Sequence, residues 1–156
     1  MFKLRFVILI LSLITLDLAS KAFAEAALIY GQSEQTILPF IDLLLIYNSG
    51  IAFGIFNSAN AYSSYILLVI TIMISLYLLW MIVNESNAMK KYALSIITAG
   101  AFGNIIDRAV DNKVTDFLHL EMFNFSFFIF NFADAFITTG AILIIYFEIV
   151  HKPNNE

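Results

Sequence analysis

Four stretches of the chain are apolar over near-membrane length: Leu4–Ala24, Ala61–Val83, Tyr92–Ile106 and Phe128–Val150. Crossing about 30 Å of hydrocarbon takes about 20 mostly apolar residues, so each stretch predicts a transmembrane helix. The first is interrupted by Asp17 and Lys21, the second carries no charge, and the fourth contains Asp134 and Glu148. The third is short and covers roughly 22 Å at about 1.5 Å per residue. Its outer end is expected below the headgroups unless the helix runs past Asp107.

Positive charge orients the spans. Lys3 and Arg5 precede the first, Lys90 and Lys91 lie in the 84–91 loop, and Lys152 follows the last. Residues 25–60 contain no Lys or Arg, and residues 107–127 contain Arg108 and Lys113. Both termini and the 84–91 loop are therefore predicted to be cytoplasmic, with loops 25–60 and 107–127 outside. The first span has a competing reading as a cleaved signal peptide, with Phe6–Leu16 as its apolar region and Ala22-Phe23-Ala24 as its cleavage site. Asp17 and Lys21 fit poorly between those two features, which favours a retained helix.

The outer loops carry patterning of their own. Residues 36–47 (TILPFIDLLLIY) are apolar except around Pro39 and Asp42. A proline cannot donate to a central ladder, so this run predicts an edge strand or hairpin. The turn signal Asn48-Ser49-Gly50 follows it. Ile51–Phe56 is apolar but too short to span, and is expected to lie on the membrane face. Leu118–Met122 and Asn124–Phe127 alternate with period two, which predicts a hairpin around Phe123 and Asn124.

Composition narrows the class. Of 156 residues 61% are apolar and 13% charged, against about a quarter charged in soluble domains. That excludes a disordered chain and disfavours a soluble domain, whose small core could not hide so much apolar surface. A single membrane domain over residues 1–156 is expected. Net charge is −4, and with no basic patch nucleic acid is not an expected partner. The absence of cysteine excludes disulfides, thiolate metal sites and a cysteine nucleophile. His119 and His151 lie far apart in sequence, so a zinc site built on histidines is not expected.

Charged groups inside a membrane are costly, and each is a functional candidate. Asp17 and Lys21 are four residues apart and can pair on one helix face, either as a neutralised structural pair or as a substrate contact. Asn104 and Arg108 share a face near the end of the third span, where Gly100 and Gly103 allow close helix approach. Asp107 reads as part of a network closing that helix, and the Arg108 fork suits either that network or a substrate carbonyl. Asp134 is expected about two turns into the fourth span, with Asn131 on the same face. No basic residue on that helix lies near it. Asp116 is expected in the loop before that span, drawn to the bilayer surface by apolar neighbours.

Two carboxylates meeting there would share a proton. The ionised one can take a proton from water, and the protonated one can polarise a carbonyl or protonate a leaving group. That is aspartic-protease chemistry, and it needs no metal, cysteine or histidine. Spacing alone leaves a proton or cation path open, as in a small four-helix transporter with Asp134 as the coupled carboxylate. A non-catalytic assembly protein is a third reading.

Five ordered motifs add specificity. They are Asp17-Leu18-Ala19-Ser20-Lys21, Asn48-Ser49-Gly50-Ile51-Ala52-Phe53, Gly103-Asn104-Ile105-Ile106-Asp107-Arg108, Val114-Thr115-Asp116-Phe117 and Phe130-Asn131-Phe132-Ala133-Asp134. In order and nearly end to end, the chain resembles the lipoprotein signal peptidase (signal peptidase II) family, whose motifs are D-x-x-x-K, N-x-G-x-A-F, G-N-x-x-D-R, V-x-D-F and F-N-x-A-D. The resemblance implies an all-α integral membrane fold of four helices, with a small β-structured platform and a short amphipathic helix on the outer side. It implies an intramembrane aspartic endopeptidase of the bacterial inner membrane, acting without a cofactor. Such an enzyme cleaves prolipoproteins on the amino side of a diacylglyceryl-modified cysteine.

The implied catalytic pair is Asp116 and Asp134. Asn48, Gly50, Phe53, Asn104, Arg108, Asn131, Asp17 and Lys21 would shape the site or bind substrate, and Gly103, Asp107 and Ala133 would be structural. The implied partners are the lipidated substrate, membrane lipid and a globomycin-type inhibitor, with the enzyme acting as a monomer. Two positions depart from the family pattern: Ile51, where Ala is frequent, and Ala135, where Ser is common.

Overall fold

A computed structural model describes residues 3–50, 61–123 and 125–150. Along the chain run α1 (Leu4–Ala27), β1 (Ser33–Glu34), β2 (Ile41–Asn48), α2 (Ala61–Asn84), α3 (Ala88–Asp111), β3 (Val114–Met122), β4 (Phe125–Phe130) and α4 (Phe132–Val150). All four helices are long and apolar enough to cross a membrane. The strands form one antiparallel sheet in the order β1-β2-β3-β4. The sheet joins the end of α1, the end of α3 and the start of α4, so it caps one end of the helices. At the opposite end, Lys90 and Glu148 pair at 2.6 Å. Phe53 and the segment Ile51–Phe56 lie outside the described residues, as does Asn124.

The helix α3 is the hub, packing against α1, α2 and α4. Its sequence suits that place. Ala93, Ala99, Gly100, Ala101 and Gly103 form a small-residue surface, and all are buried. Without a hydrophobic drive between helices in lipid, small residues gain packing by letting backbones approach. Gly103 is required sterically, because a Cβ there would collide with the Asp17 carboxylate. Asn87 caps α3 by accepting from the backbone N–H groups of Met89 and Lys90 at 2.8 and 3.2 Å. Asn112 ends it in the left-handed conformation. The helix therefore runs from residue 88 to 111, four to five residues beyond the apolar stretch at each end. Those extra turns are polar and escaped a count of apolar residues. The outer faces of α2 and α4, including Ile70, Met73, Leu76, Ile142 and Ile145, are exposed and apolar, as lipid contact demands.

The fourth apolar stretch divides between two structures. Residues 128–130 belong to β4, and α4 starts only at Phe132. Asp134 consequently lies in the first turn of α4, not two turns in. Asp116 is not in a loop either: it sits inside β3, opposite Ile46 of β2, with 3% of its surface exposed. The strand β2 is interior, paired on both sides, rather than an edge. Pro39 does not prevent this because the strand begins two residues after it.

Replacing Gly103 with Ala should push Asp17 and α1 away from α3, with a stability loss of about 1–3 kcal/mol. Thermal unfolding in detergent measures this, and an unchanged midpoint would mean that Asp17 does not occupy that contact.

Candidate active site

The site forms where the start of α4 meets α1, α3 and the paired ends of β2 and β3. A helix start buried in protein must find acceptors for its free N–H groups. Asn131 and Asp134 supply a reciprocal cap. Asn131 Oδ1 accepts from the Asp134 N–H at 3.0 Å, and Asp134 Oδ2 accepts from the Asn131 N–H at 3.3 Å. This is the capping-box arrangement with Asp at the third helical position. The Ala133 N–H between them donates to Asp17 Oδ1 at 2.8 Å. A carboxylate from α1 thus sits on the positive end of α4.

Lys21 balances that carboxylate. Its Nζ lies 2.9 Å from Asp17 Oδ2 and 3.3 Å from Asp107 Oδ2, and donates to Asn104 Oδ1 at 2.9 Å. One hydrogen bond and two ion pairs thus surround the buried ammonium. Asp17 and Lys21 are 0% and 3% exposed, a neutralised pair buried between the helices. Asp107 Oδ2 also accepts from the Thr115 N–H at 2.7 Å, tying the end of α3 to β3.

Asparagines link this base to the two aspartates. Asn104 Nδ2 donates to Asp134 Oδ1 at 2.9 Å. Asn131 Nδ2 donates to Asp116 Oδ1 at 2.7 Å, and the same side chain caps Asp134. Asn48 Nδ2 donates to Asp116 Oδ2 at 3.1 Å, while its Oδ1 accepts from the Gly50 N–H at 2.9 Å. Gly50 has φ of +97°, which closes this turn and favours glycine. Asp116 and Asp134 therefore face each other across Asn131, each held by amide donors. Arg108 is close enough to feel the charges of Asp116, Asp107 and Asp134. Its Nε is buried with no hydrogen-bond partner.

The two aspartates sit in unlike surroundings. Burial raises Asp116 to about 6, with a further push from the charge of Asp134 that outlasts the opposing amide hydrogen bonds. Asp134 is only half-buried and stands in the first turn of α4. It borders a cleft of about 280 Å³ lined by Phe128, Phe130, Ala135, Thr138 and Thr139. The two carboxyls therefore differ in enclosure, Asp116 held among strands and Asp134 beside an open cleft.

A model of the family described as signal peptidase (SPase) II matches residues 9–150. The chain belongs to the signal peptidase II family. A protein named lipoprotein signal peptidase from Neisseria gonorrhoeae is 36% identical over 155 residues, covering 99% of this chain and 94% of that one. One of the same name from Bartonella bacilliformis is 40% identical over 136 residues, covering 86% and 81%. A solved bacterial membrane enzyme structure, obtained by the in meso method at 2.3 Å, superposes with a TM-score of 0.83 at 29% identity. It covers 97% of this chain and 92% of that one. A second, at 1.9 Å, gives 0.81 at 30% identity, covering 96% and 94%. As a member of that family with four candidate spans, the chain is a protease and a multi-pass membrane protein.

The fold gathers Asp17, Lys21, Asn48, Gly50, Gly103, Asn104, Asp107, Arg108, Asp116, Asn131, Ala133 and Asp134 into one cluster. Sequence reasoning missed Thr115, which joins Asp107 through its N–H and donates from its hydroxyl to Glu25 Oε1 at 2.9 Å. Its place inside the V-x-D-F motif was the available signal. It also missed that Asn131 is a helix cap, although Asn followed three residues later by an acid is a start signal.

Two measurements test this geometry. Replacing Lys21 with Met strands the buried Asp17 and should cost about 3–5 kcal/mol, read as a lowered unfolding midpoint in detergent. Infrared titration of the Asp116 carboxyl should show it protonated at low pH and ionising as pH rises through about 6. Asp134→Asn should lower that midpoint yet leave it above the ordinary 3.8, because burial, the larger cause, remains.

Proposed function

We propose that this chain is an intramembrane aspartic endopeptidase that removes signal peptides from bacterial prolipoproteins, cutting on the amino side of the diacylglyceryl-modified cysteine. The observation that carries this reading is the Asp116–Asn131–Asp134 arrangement, in which one asparagine holds both carboxyls and burial raises Asp116 to about 6. The names of the relatives supply the substrate class. The apolar flanks of α2 and α4 suit a substrate helix that arrives laterally with its acyl chains still in lipid. By the positive-charge bias, the sheet end faces outward and both termini face the cytoplasm of the inner membrane.

The chemistry closes without a cofactor. Ionised Asp134 takes a proton from a water molecule as the water oxygen bonds to the scissile carbonyl carbon. Protonated Asp116 gives its proton to the carbonyl oxygen, so no oxyanion is left in the apolar cleft. Asp134 then passes its proton to the amide nitrogen. Asp116 recovers one from the diol hydroxyl as the C–N bond breaks, leaving a carboxylic acid and a free amine. The active form carries one proton on the pair, so kcat/KM falls as pH rises past the value at which the pair loses it. Asn48, Asn104 and Asn131 hold the two carboxyls apart and oriented. The half-buried Arg108 guanidinium, within reach of both aspartates, is proposed to hold a substrate carbonyl. Phe53 belongs to the same motif as Asn48 and is proposed to line the cleft. A globomycin-type inhibitor would occupy the cleft that the scissile peptide uses, with one copy of the chain sufficient for activity.

Purified protein in detergent or liposomes, given a prolipoprotein with and without the diacylglyceryl group, should release a product whose mass places the cut before the lipidated cysteine. Asp116→Asn and Asp134→Asn should each lower turnover by about 10²–10⁴-fold, with the helical content and the elution profile of the folded protein retained. Turnover that survives either substitution would remove the pair from the mechanism.

A further inference from the structure

The sheet carries a second cluster of ionisable groups, toward the other end of β2 and β3 from Asn48 and Asp116. Asp42 of β2 is the register partner of His119 in β3. Glu121, two residues further along β3, returns to the same face as His119. One ligand atom from each of the three lies within 4.8 Å of the others. We propose that Asp42, His119 and Glu121 form a binding site for a zinc-class divalent cation, separate from the aspartate pair and independent of the peptidase reading.

His119 carries the argument beyond acidic crowding. It is 6% exposed, and its Nδ1 has no hydrogen-bond partner. Its Nε2 lies 2.7 Å from Ser126 Oγ on β4. With the ring proton on Nε2 and donated to Ser126, the Nδ1 lone pair is left free and directed at the carboxylates. Metal-binding histidines are commonly oriented in this way, by a hydrogen bond from the other ring nitrogen. Nδ1 is 3.7 Å from Glu121 Oε2. The edge of a tetrahedron with bonds of about 2.1 Å is about 3.4 Å, so small side-chain rotations close the set on an ion. Asp42 is itself positioned, accepting from the Thr36 N–H at 3.4 Å. A cleft of about 300 Å³ bordered by Asp42, Glu121, Thr36 and Phe40 gives an ion access.

The donor set selects the ion. One imidazole and two carboxylates, with a place left for water, suit zinc and its first-row neighbours better than calcium or magnesium, which take oxygen ligands. Two carboxylates neutralise the dication. Because the ligands come from adjacent strands, the ion would clamp β2 to β3, the two strands that present Asn48 and Asp116. Counting histidines along the sequence could not find this site, since two of its three ligands are carboxylates and one comes from the neighbouring strand.

The full-length protein in detergent, stripped with EDTA and then freed of chelator, would be titrated with zinc chloride by calorimetry and with cobalt(II) by visible absorption. One saturable site is expected, together with a higher unfolding midpoint. Asp42→Asn and Glu121→Gln, both half-exposed and close in shape to the originals, should each weaken binding at least about tenfold. His119→Gln should abolish it. Binding should survive in an Asp116→Asn, Asp134→Asn double variant. Absent binding, or binding lost in that double variant but untouched by Asp42→Asn and Glu121→Gln, would overturn the proposal. So would calcium binding with equal affinity. If His119→Gln fails to fold, the two carboxylate variants decide.

Discussion

The fold turns on one buried contact, the Asp17 carboxylate of α1 seated on the N-terminus of α4. In a membrane no water waits to take up the free N–H groups at a helix start, so protein must supply the acceptors. Asp17 supplies one from another helix, Asn131 supplies another from the cap, and Lys21 balances the charge that this introduces. The contact exists only because Gly103 leaves room for the carboxylate between α1 and α3. Three helices are locked in register by a single polar cluster, and that register sets where Asp134 and Asn104 stand.

The sheet brings the second half of the site to this base. The end of α3 is tied to β3 by the Asp107–Thr115 bond, so Asp116, the next residue, is presented inward toward Asn131. The resulting asymmetry is chemical as well as spatial. Asp116 is enclosed among strands and keeps its proton to higher pH, while Asp134 stands at a helix dipole beside an open cleft. Two identical side chains acquire different surroundings, and unlike surroundings are what can let one residue type serve as both acid and base.

Much of this was legible along the chain. Apolar length gave four helices, since the hydrocarbon thickness leaves little choice. Period-two alternation gave the β3–β4 hairpin. Helix spacing paired Asp17 with Lys21, and five ordered motifs pointed to the family and to the residues of the cluster. Boundaries were read less well. Residues 128–130 are as apolar as the helix after them, and composition cannot tell a greasy strand from the start of a span. The start signal was in the polar residues instead, Asn131 followed by Asp134. Pro39 precedes β2 rather than interrupting it, so it removes no donor from the ladder and the strand keeps its place inside the sheet.

The sequence by itself determined what lipid demands of any chain: the number of spans, their apolar outer faces, and a small set of charged residues too costly to be incidental. These follow from local composition and from the energy of burying charge, which need no knowledge of neighbours. Only the tertiary structure decided which charges neutralise one another and which are left to act. Asp17 and Lys21 are buried against each other, Asp116 is in a strand rather than a loop, and Asp42 stands across from His119. Pairings between residues far apart in the chain depend on strand register and helix packing, and those arise from the whole set of contacts at once.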